Sequence, residues 1–277
     1  MSRLRDMFSR RATGELDKPR SDRPKRLKQI LDEQIEAGLH EFNRSSTGLF
    51  ISAFAACLEV DFSILFMGTI YSMFGGSLST EALHLFLALC YPIGFLFVII
   101  GRSELFTEHT ALAILPVLSQ SVRVRDLLIL WGIVYAGNLV GGYVFSILIS
   151  RIGTKVGFID DHAFEYLAHH MVDYDWSTIL LSALLAGWMM GLLGWLVTSS
   201  QETISRIFVI ILVTFIIGIA GLHHCIVGSI EVFSGFITSD SITFTDYLRF
   251  QVWATIGNAL GGAVFVAILK FSHVRFK

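Results

Sequence analysis

The chain has 277 residues, of which 53% are hydrophobic and only 16% are charged, and its mean hydropathy is +0.64. Because soluble domains carry about 25% charged residues, this composition excludes a soluble globular protein and indicates a membrane protein. The formal net charge of −2 hides an asymmetry, since 11 of the 21 Lys and Arg residues lie within residues 1–45.

Residues 1–44 are predicted to form a cytoplasmic segment with one amphipathic helix. Residues 1–24 are polar, which is typical of disorder, and no apolar stretch with a cleavage site marks a signal peptide. The pattern from Pro24 to Phe42 predicts a helix that lies on the membrane surface or packs beneath the transmembrane helices, and both remain open. Its apolar residues at helical spacing are Leu27, Ile30, Leu31, Ile35 and Leu39.

Six hydrophobic spans are predicted within residues 45–272, followed by a short tail at residues 273–277. Crossing the roughly 30 Å of bilayer hydrocarbon takes about 20 apolar residues in a helix. Spans two and five are interrupted, by GRSELFTEHT at residues 101–110 and by GLHHC at residues 221–225. A polar loop is expected at residues 151–175. The spans are Thr47–Phe74, Ala82–Leu118, Leu127–Ser150, Trp176–Thr198, one that starts at Ile207, and Val252–Lys270.

Positive charge predicts the orientation of these spans, because short cytoplasmic loops are enriched in Lys and Arg. With the N-terminus inside, the cytoplasmic segments hold 17 of these residues, whereas the exterior loops hold Arg151, Lys155 and Arg249. Both termini are therefore expected in the cytoplasm.

The two halves of the chain share a repeated sequence pattern. YAGNLVGG at residues 135–142 and TIGNALGG at residues 255–262 share the pattern GNxxGG, offset by 120 residues. Three spans in each half would make the second half enter the membrane from the opposite side, as in the inverted repeats of many transporters and channels. We therefore predict an all-α membrane protein with six transmembrane helices in two inverted three-helix repeats, helices two and five being broken.

The interruptions carry the residues expected to bind a solute. Non-helical backbone inside a bilayer is tolerated where protein or water satisfies its hydrogen bonds, so the breaks should face a pore. Free N–H groups at such breaks attract anions. Thr107 offers a hydroxyl with Leu105 as an apolar plug beside it, and His224 offers a titratable ring. The alternatives are a buried structural role for His224 and, more weakly, a metal site at residues 223–225.

Four segments together resemble the formate/nitrite transporter family: ELFTEHTALAILPVL, WGIVYAGNLVGG, GLHHCIVGSIEVF and IGNALGG. The resemblance covers about residues 45–270 and extends to one bacterial inner-membrane branch of the family. It implies an aquaporin-like fold and a homopentamer with one pore in each protomer. It also implies passage of small monovalent anions such as formate, nitrite, lactate or hydrosulfide across a bacterial or archaeal cytoplasmic (inner) membrane.

The resemblance assigns pore roles residue by residue. Thr107 matches the threonine of the first interruption, and His224 matches the central pore histidine. Leu105, Tyr91 and Ile217 fall where the family lines its two constrictions.

Other positions match or depart from the family pattern. Asn138 and Asn258 match repeated asparagines in helices three and six, which are expected to pin helices and not to bind substrate. His223, also placed at the pore, stands where formate channels carry a glutamate, and Arg102 stands where they carry a small uncharged residue. A lysine that formate channels place before span four has no clear counterpart in HHM at residues 169–171.

The charged residues near the pore have open interpretations. Arg102 either draws anions into one mouth or neutralises Glu104 and Glu108 in a buried network, and the network is favoured. Glu59 and Asp61 would oppose anion flow if they lined the pore. They would not oppose it if they faced the fivefold axis or paired with Arg102 or a histidine.

The leading hypothesis is a pentameric channel, or proton-linked transporter, for a small monovalent anion or its conjugate acid. One alternative is a non-conducting scaffold or sensor whose basic N-terminus binds a partner or anionic membrane lipid. Another is a pathway for neutral solutes or cations that uses Glu59 and Asp61. The loops contain no nucleophile–base pair, phosphate loop or cofactor motif, so we expect no enzyme activity, no cofactor or metal, and no nucleic-acid partner.

Overall fold

The computed structural model describes residues 24–276, apart from the side chains of Phe265 and Val266. The N-terminal stretch predicted to be disordered lies, except for Pro24, outside the described residues. Within residues 24–276 the chain forms helices joined by short connections and contains no strand. The helices are α1 (Leu27–Phe42), α2 (Ser46–Val60), α3 (Phe62–Phe74), α4 (Thr80–Cys90), α5 (Pro92–Gly101), α6 (Phe106–Leu112), α7 (Leu115–Leu118), α8 (Val124–Val156), α9 (Asp161–Val172), α10 (Trp176–Ser199), α11 (Thr203–Ile219), α12 (Val227–Thr238), α13 (Phe244–Leu260), a π-helix (Gly261–Ile268) and α14 (Leu269–Arg275).

Five helical stretches of the described chain are long and apolar enough to cross a membrane. Three shorter apolar helices flank two non-helical segments, which separate α5 from α6 and α11 from α12. These segments lie at the two interruptions predicted from the sequence. The long stretches are Ser46–Phe74, Thr80–Gly101, Val124–Val156, Trp176–Ser199 and Phe244–Arg275.

Each non-helical segment has a residue in the left-handed conformation within its first two positions. Arg102 has a φ of 61° and Gly221 a φ of 59°. In each case the next amide N–H donates to a carbonyl five residues earlier, at 3.1 Å from Ser103 and at 3.0 Å from Leu222. This bond is the one that closes a helix C-terminus after a left-handed residue. The two breaks therefore start with the same backbone turn.

Glycines of the repeated GNxxGG pattern bring the long helices into close contact. A Cβ on Gly141 of α8 would collide with the carbonyl oxygen of Phe54 on α2. A Cβ on Gly261, at the end of α13, would collide with the carbonyl oxygen of Leu184 on α10. Small residues at this spacing let membrane helices approach backbone to backbone. The same pattern thus makes the same helix contact in both halves of the chain.

Residues 151–175 differ from the polar loop expected from the sequence. α8 continues to Val156, and α9 forms a separate helix that buries Phe164 and Leu167. α9 packs on α12, where a Cβ on Gly235 would meet the side chain of Ala168. The segment is amphipathic and too short to span a membrane. Its charged residues, taken alone, therefore suggest a loop.

α1 packs against one end of the helical bundle. Its Ile30 and Leu31 form a buried cluster with Leu115, Trp195 and Ala267. Of the two positions that the sequence leaves open for this helix, the structure therefore favours packing beneath the transmembrane helices.

Candidate permeation site at the two helix breaks

The two breaks meet at a hydrogen bond between Thr107 and His224. Thr107 lies in the first turn of α6 and His224 lies between α11 and α12, and neither is more than 1% exposed. The distance from Thr107 Oγ1 to His224 Nε2 is 2.8 Å. The Val227 N–H donates to His224 Nδ1 at 3.3 Å, so Nε2 carries the proton of a neutral ring. His224 therefore donates to Thr107, whose own hydroxyl proton stays available for another acceptor.

Asn138 of α8 holds the first break in place through hydrogen bonds. Its Oδ1 accepts the Phe106 N–H at 2.8 Å. Its Nδ2 donates to the Glu104 carbonyl at 2.9 Å and to the Ala53 carbonyl of α2 at 2.7 Å. One side-chain amide thus satisfies backbone groups that the interrupted helix leaves without partners.

Asn258 of α13 does the same at the second break. Its Oδ1 accepts the Cys225 N–H at 2.8 Å. Its Nδ2 donates to the His223 carbonyl at 3.0 Å and to the Ala183 carbonyl of α10 at 2.7 Å. Both asparagines therefore contact backbone, and neither side chain has a donor left over for a solute.

A cavity of about 40 Å³, which we call the vestibule, lies between α3, α4, α5, α9, α11 and α12. One water needs roughly 15 Å³ by this measure, so the vestibule has room for about three non-hydrogen atoms. Its walls include Tyr91 and Ile217, both expected at the pore, together with His84, His170 and Glu231. Leu105, Thr107 and His224 do not line it.

Phe95 connects the vestibule wall with His224. Its ring centroid lies 5.2 Å from that of Tyr91 and 5.5 Å from that of His224. Phe95 and Leu105 are completely buried. Of the buried residues predicted to line the pore, Tyr91 and Ile217 therefore line the vestibule, whereas Leu105, Thr107 and His224 lie outside its lining.

A second polar cluster surrounds Glu104, at the end of the first break. The Arg44 guanidinium contacts the Glu104 carboxylate, and it also lies 2.7 Å from Glu41. His109 donates through Nδ1 to the Leu105 carbonyl at 3.1 Å, while its Nε2 lies 3.0 Å from the other Glu104 oxygen. The ring and the carboxylate are close enough to form an ion pair when the ring is protonated.

The cation that neutralises Glu104 is thus Arg44. The sequence favoured a network in which Arg102 neutralises Glu104 and Glu108, and the structure corrects that expectation. Arg102 is exposed and adopts the left-handed conformation that ends α5. Glu108 is partly buried. Glu41, Glu104 and His109 bring three possible ligand atoms within 4.8 Å of one another. Arg44 already supplies the positive charge there that a metal ion would provide.

Comparison with known proteins identifies the family. The family model described as Formate/nitrite transporter matches residues 28–272. The chain belongs to the formate/nitrite transporter family. It is 28% identical over 255 residues to the inner membrane protein YfdC of Escherichia coli (strain K12), an alignment that covers 91% of this chain and 80% of YfdC.

Two solved structures share the fold of this family member. An "FNT family ion channel" superposes with a TM-score of 0.77 at 21% identity, and the match covers 89% of this chain and 99% of that chain. A "pentameric formate channel with formate bound" superposes with a TM-score of 0.68 at 18% identity, covering 84% of this chain and 98% of that chain. Family membership and the long apolar helices together show that the chain is embedded in a membrane.

His223, expected at the pore from the formate/nitrite transporter pattern, lies outside the vestibule lining. Its Nε2 lies 3.1 Å from the Met171 carbonyl, which can only accept, so Nε2 carries the ring proton. Ser182 Oγ lies 2.8 Å from Nδ1 and 3.1 Å from the His223 backbone nitrogen. Both ring nitrogens are therefore bonded within the protein, and the pore role of His223 stays a prediction.

The two carboxyl groups of span one also lie away from the vestibule lining of this formate/nitrite transporter. Asp61 is completely buried at the junction of α2 and α3, where its Oδ1 lies 4.0 Å from Cys57 Sγ. Asp61 Oδ2 and Glu59 Oε2 are buried atoms with no hydrogen-bond partner. Neither carboxylate pairs with Arg102 in the described residues.

Three vestibule residues escaped the sequence reasoning, namely His84, His170 and Glu231. His84 Nε2 lies 2.8 Å from the Ile219 carbonyl at the end of α11, and its ring centroid is 5.6 Å from that of His170. Burial and the neighbouring His84 ring lower the pKa of His170 below its ordinary value. A signal did exist for Glu231, which is a lone acid in the otherwise uncharged stretch 225–238.

Proposed function

We propose that this chain is a channel, or proton-linked transporter, for a small monovalent anion such as formate or nitrite, or for its conjugate acid. The hydrogen bond between Thr107 and His224, where two interrupted helices meet, is the observation that carries the proposal. The structural relative described as a formate channel with formate bound supports this class of permeant. A vestibule with room for about three non-hydrogen atoms suits ions of this size.

We infer six transmembrane helices in two inverted three-helix repeats, with an aquaporin-like plan across residues 45–272. The matched contacts of Asn138 and Asn258, and of Gly141 and Gly261, support the repeat. The pentameric relative supports a homopentamer with one pore in each protomer. The distribution of Lys and Arg supports cytoplasmic termini in a bacterial or archaeal inner membrane, with lipid around the bundle.

In this proposal the permeant moves from the vestibule past Phe95 to Thr107 and His224. An isolated ion in such a dry environment is far less stable than a neutral acid, so the site must offer donors. The Thr107 hydroxyl is one donor, and the His224 Nε2–H becomes a second when the permeant replaces Thr107 as its acceptor. Because the ring is neutral, His224 gives the permeant a hydrogen bond and not a proton. A proton that travels with the anion has to come from another group or from water.

Flux into proteoliposomes tests the proposal with formate, nitrite, acetate and hydrosulfide. The wild-type protein should conduct at least one of them. His224→Ala should slow that flux about ten-fold or more, because a buried hydrogen bond to a charged group contributes about 1.5–3 kcal/mol. His162→Ala is the matched control, since the His162 side chain is 80% exposed. Absence of flux for all four anions, or unchanged flux in His224→Ala, contradicts the proposal.

A cation or neutral-solute pathway is the second candidate, favoured by the buried carboxyl groups of Asp61 and Glu231. Reversal potentials under a salt gradient distinguish the two. A cation-selective wild type that loses this selectivity in Asp61→Asn would replace the anion pathway with this one.

A further inference from the structure

Glu231 occupies an unusual place for an acid in an anion pathway. It lies on α12 seven residues after His224, is 3% exposed, and lines the vestibule with Tyr91 and Ile217. Among the vestibule-lining residues of the described chain it is the only acid, and no Lys or Arg lines the cavity. Nothing in the vestibule wall therefore supplies a fixed positive charge to balance an ionised carboxylate.

The surroundings of Glu231 favour its uncharged form. An ionised carboxylate without a cation is strongly disfavoured in an apolar cavity. A protonated carboxyl group is a donor, whereas an ionised one only accepts. Protonation thus changes what this wall of the vestibule can bind.

We propose that Glu231 is a specificity-determining residue that binds the permeant anion through its carboxyl proton and, once ionised, excludes the anion from the vestibule. The inference rests on the proposed function. It identifies a hydrogen-bond donor for the permeant in the vestibule, in addition to the Thr107 and His224 donors. A carboxylate permeant fits this donor well, because two carboxyl groups that share one proton form a strong charge-assisted hydrogen bond.

Other titratable groups near Glu231 also enter the pH dependence. His84, Tyr91, Tyr166 and His170 share the vestibule wall, and Asp61 with Cys57 lies on the α2–α3 side. α8 and α13 bring Tyr143 and Tyr247 onto Phe233 of the same helix, and Cys225 precedes α12. The two histidines gain positive charge as pH falls, which would attract anions in the same direction as protonation of Glu231. A Glu231 variant is therefore needed to separate the contributions.

Equilibrium exchange of labelled formate, at equal pH on both sides of proteoliposomes, measures the effect. The full-length wild type is compared with Glu231→Gln, which keeps the side-chain volume and a permanent donor. The ratio of Glu231→Gln to wild-type exchange should lie near one at about pH 6 and rise about ten-fold by about pH 9. Glu81→Gln, an exposed acid at the start of α4, should keep a ratio near one throughout. A ratio for Glu231→Gln that stays flat with pH overturns the proposal.

Infrared spectroscopy of the detergent-solubilised protein provides a measurement that does not depend on transport. The wild type at about pH 7 should show the C=O stretch of a protonated carboxyl group that Glu231→Gln removes and Glu81→Gln retains. An unchanged band in Glu231→Gln overturns the proposal whatever the flux. A wild type that shows the band but exchanges none of the four anions overturns the proposed function, and with it the permeation role of Glu231.

Discussion

At the first break, between Gly101 and Phe106, charged side chains surround the open backbone, whereas neutral side chains surround the second, between Ile219 and Val227. The Glu104 carboxylate meets the Arg44 guanidinium and the His109 ring, but the His223 ring meets a hydroxyl and a carbonyl. Both breaks nevertheless start with the same left-handed turn and end on an asparagine amide. The backbone frame of a broken helix therefore does not depend on the charges beside it.

The largest loss of stability is expected when either asparagine that holds a break in place is replaced. Asn138→Ala and Asn258→Ala each leave one buried N–H and one carbonyl of a break without a partner, at about 1–3 kcal/mol for each group. Each variant should lose about 3 kcal/mol or more of unfolding free energy, measured by thermal unfolding in detergent. Asn43→Ala is the control, because Asn43 is exposed and donates to the Leu39 carbonyl at 3.1 Å. If Asn258→Ala were as stable as the wild type while Asn138→Ala was destabilised, the two asparagines would not have equivalent roles.

Intermediate losses of stability are expected when the charged contacts of the first break or the neutral contacts of the second are removed. Glu104→Gln removes the carboxylate that faces His109 and that Arg44 contacts besides Glu41, and it should cost about 1.5–3 kcal/mol, as for hydrogen bonds to charged groups. Ser182→Ala removes neutral hydrogen bonds of His223 and should cost about 1 kcal/mol. Unfolding measured at low and high salt sharpens the contrast, because added salt should reduce the loss in Glu104→Gln alone. Equal salt dependence in the two variants would show that charge does not distinguish the breaks.

The smallest effect concerns the residues that start the two breaks. Arg102→Gly should raise the free energy of unfolding by up to about 1 kcal/mol, because glycine adopts the left-handed conformation without strain. Gly221→Ala should lower it by about 1 kcal/mol or more, since the φ is 59° and the new Cβ would lie 3.1 Å from His170 Nε2. Chemical unfolding of the purified variants checks the signs. A shift of both variants in the same direction would contradict a common turn.

The sequence predicts the features that interrupt a regular pattern. Thr107, His224 and the two asparagines stand out because polar residues inside apolar spans need a structural or chemical reason. Arg44 does not stand out, since it lies 60 residues before Glu104 in a basic segment and reaches it only through the docking of α1. His170 was hidden for a related reason, because α9 looks like a polar loop until its packing on α12 is known.

Arg102 shows the opposite error, in which closeness along the chain suggests a contact that the structure does not contain. It precedes Glu104 by two residues, yet its side chain is exposed and the Glu104 carboxylate contacts Arg44. Partners of a buried charge therefore depend on the packing of distant helices, which does not follow from spacing in a single sequence.

The two asparagines lie on helices outside the segments that they hold open, at positions 138 and 258. The residues that hold the breaks in place and the residues proposed to bind the permeant therefore lie in different parts of the chain. Changing side chains in segments 102–107 and 220–226, while those amides stay in place, would test whether the proposed selectivity can be altered without loss of the fold.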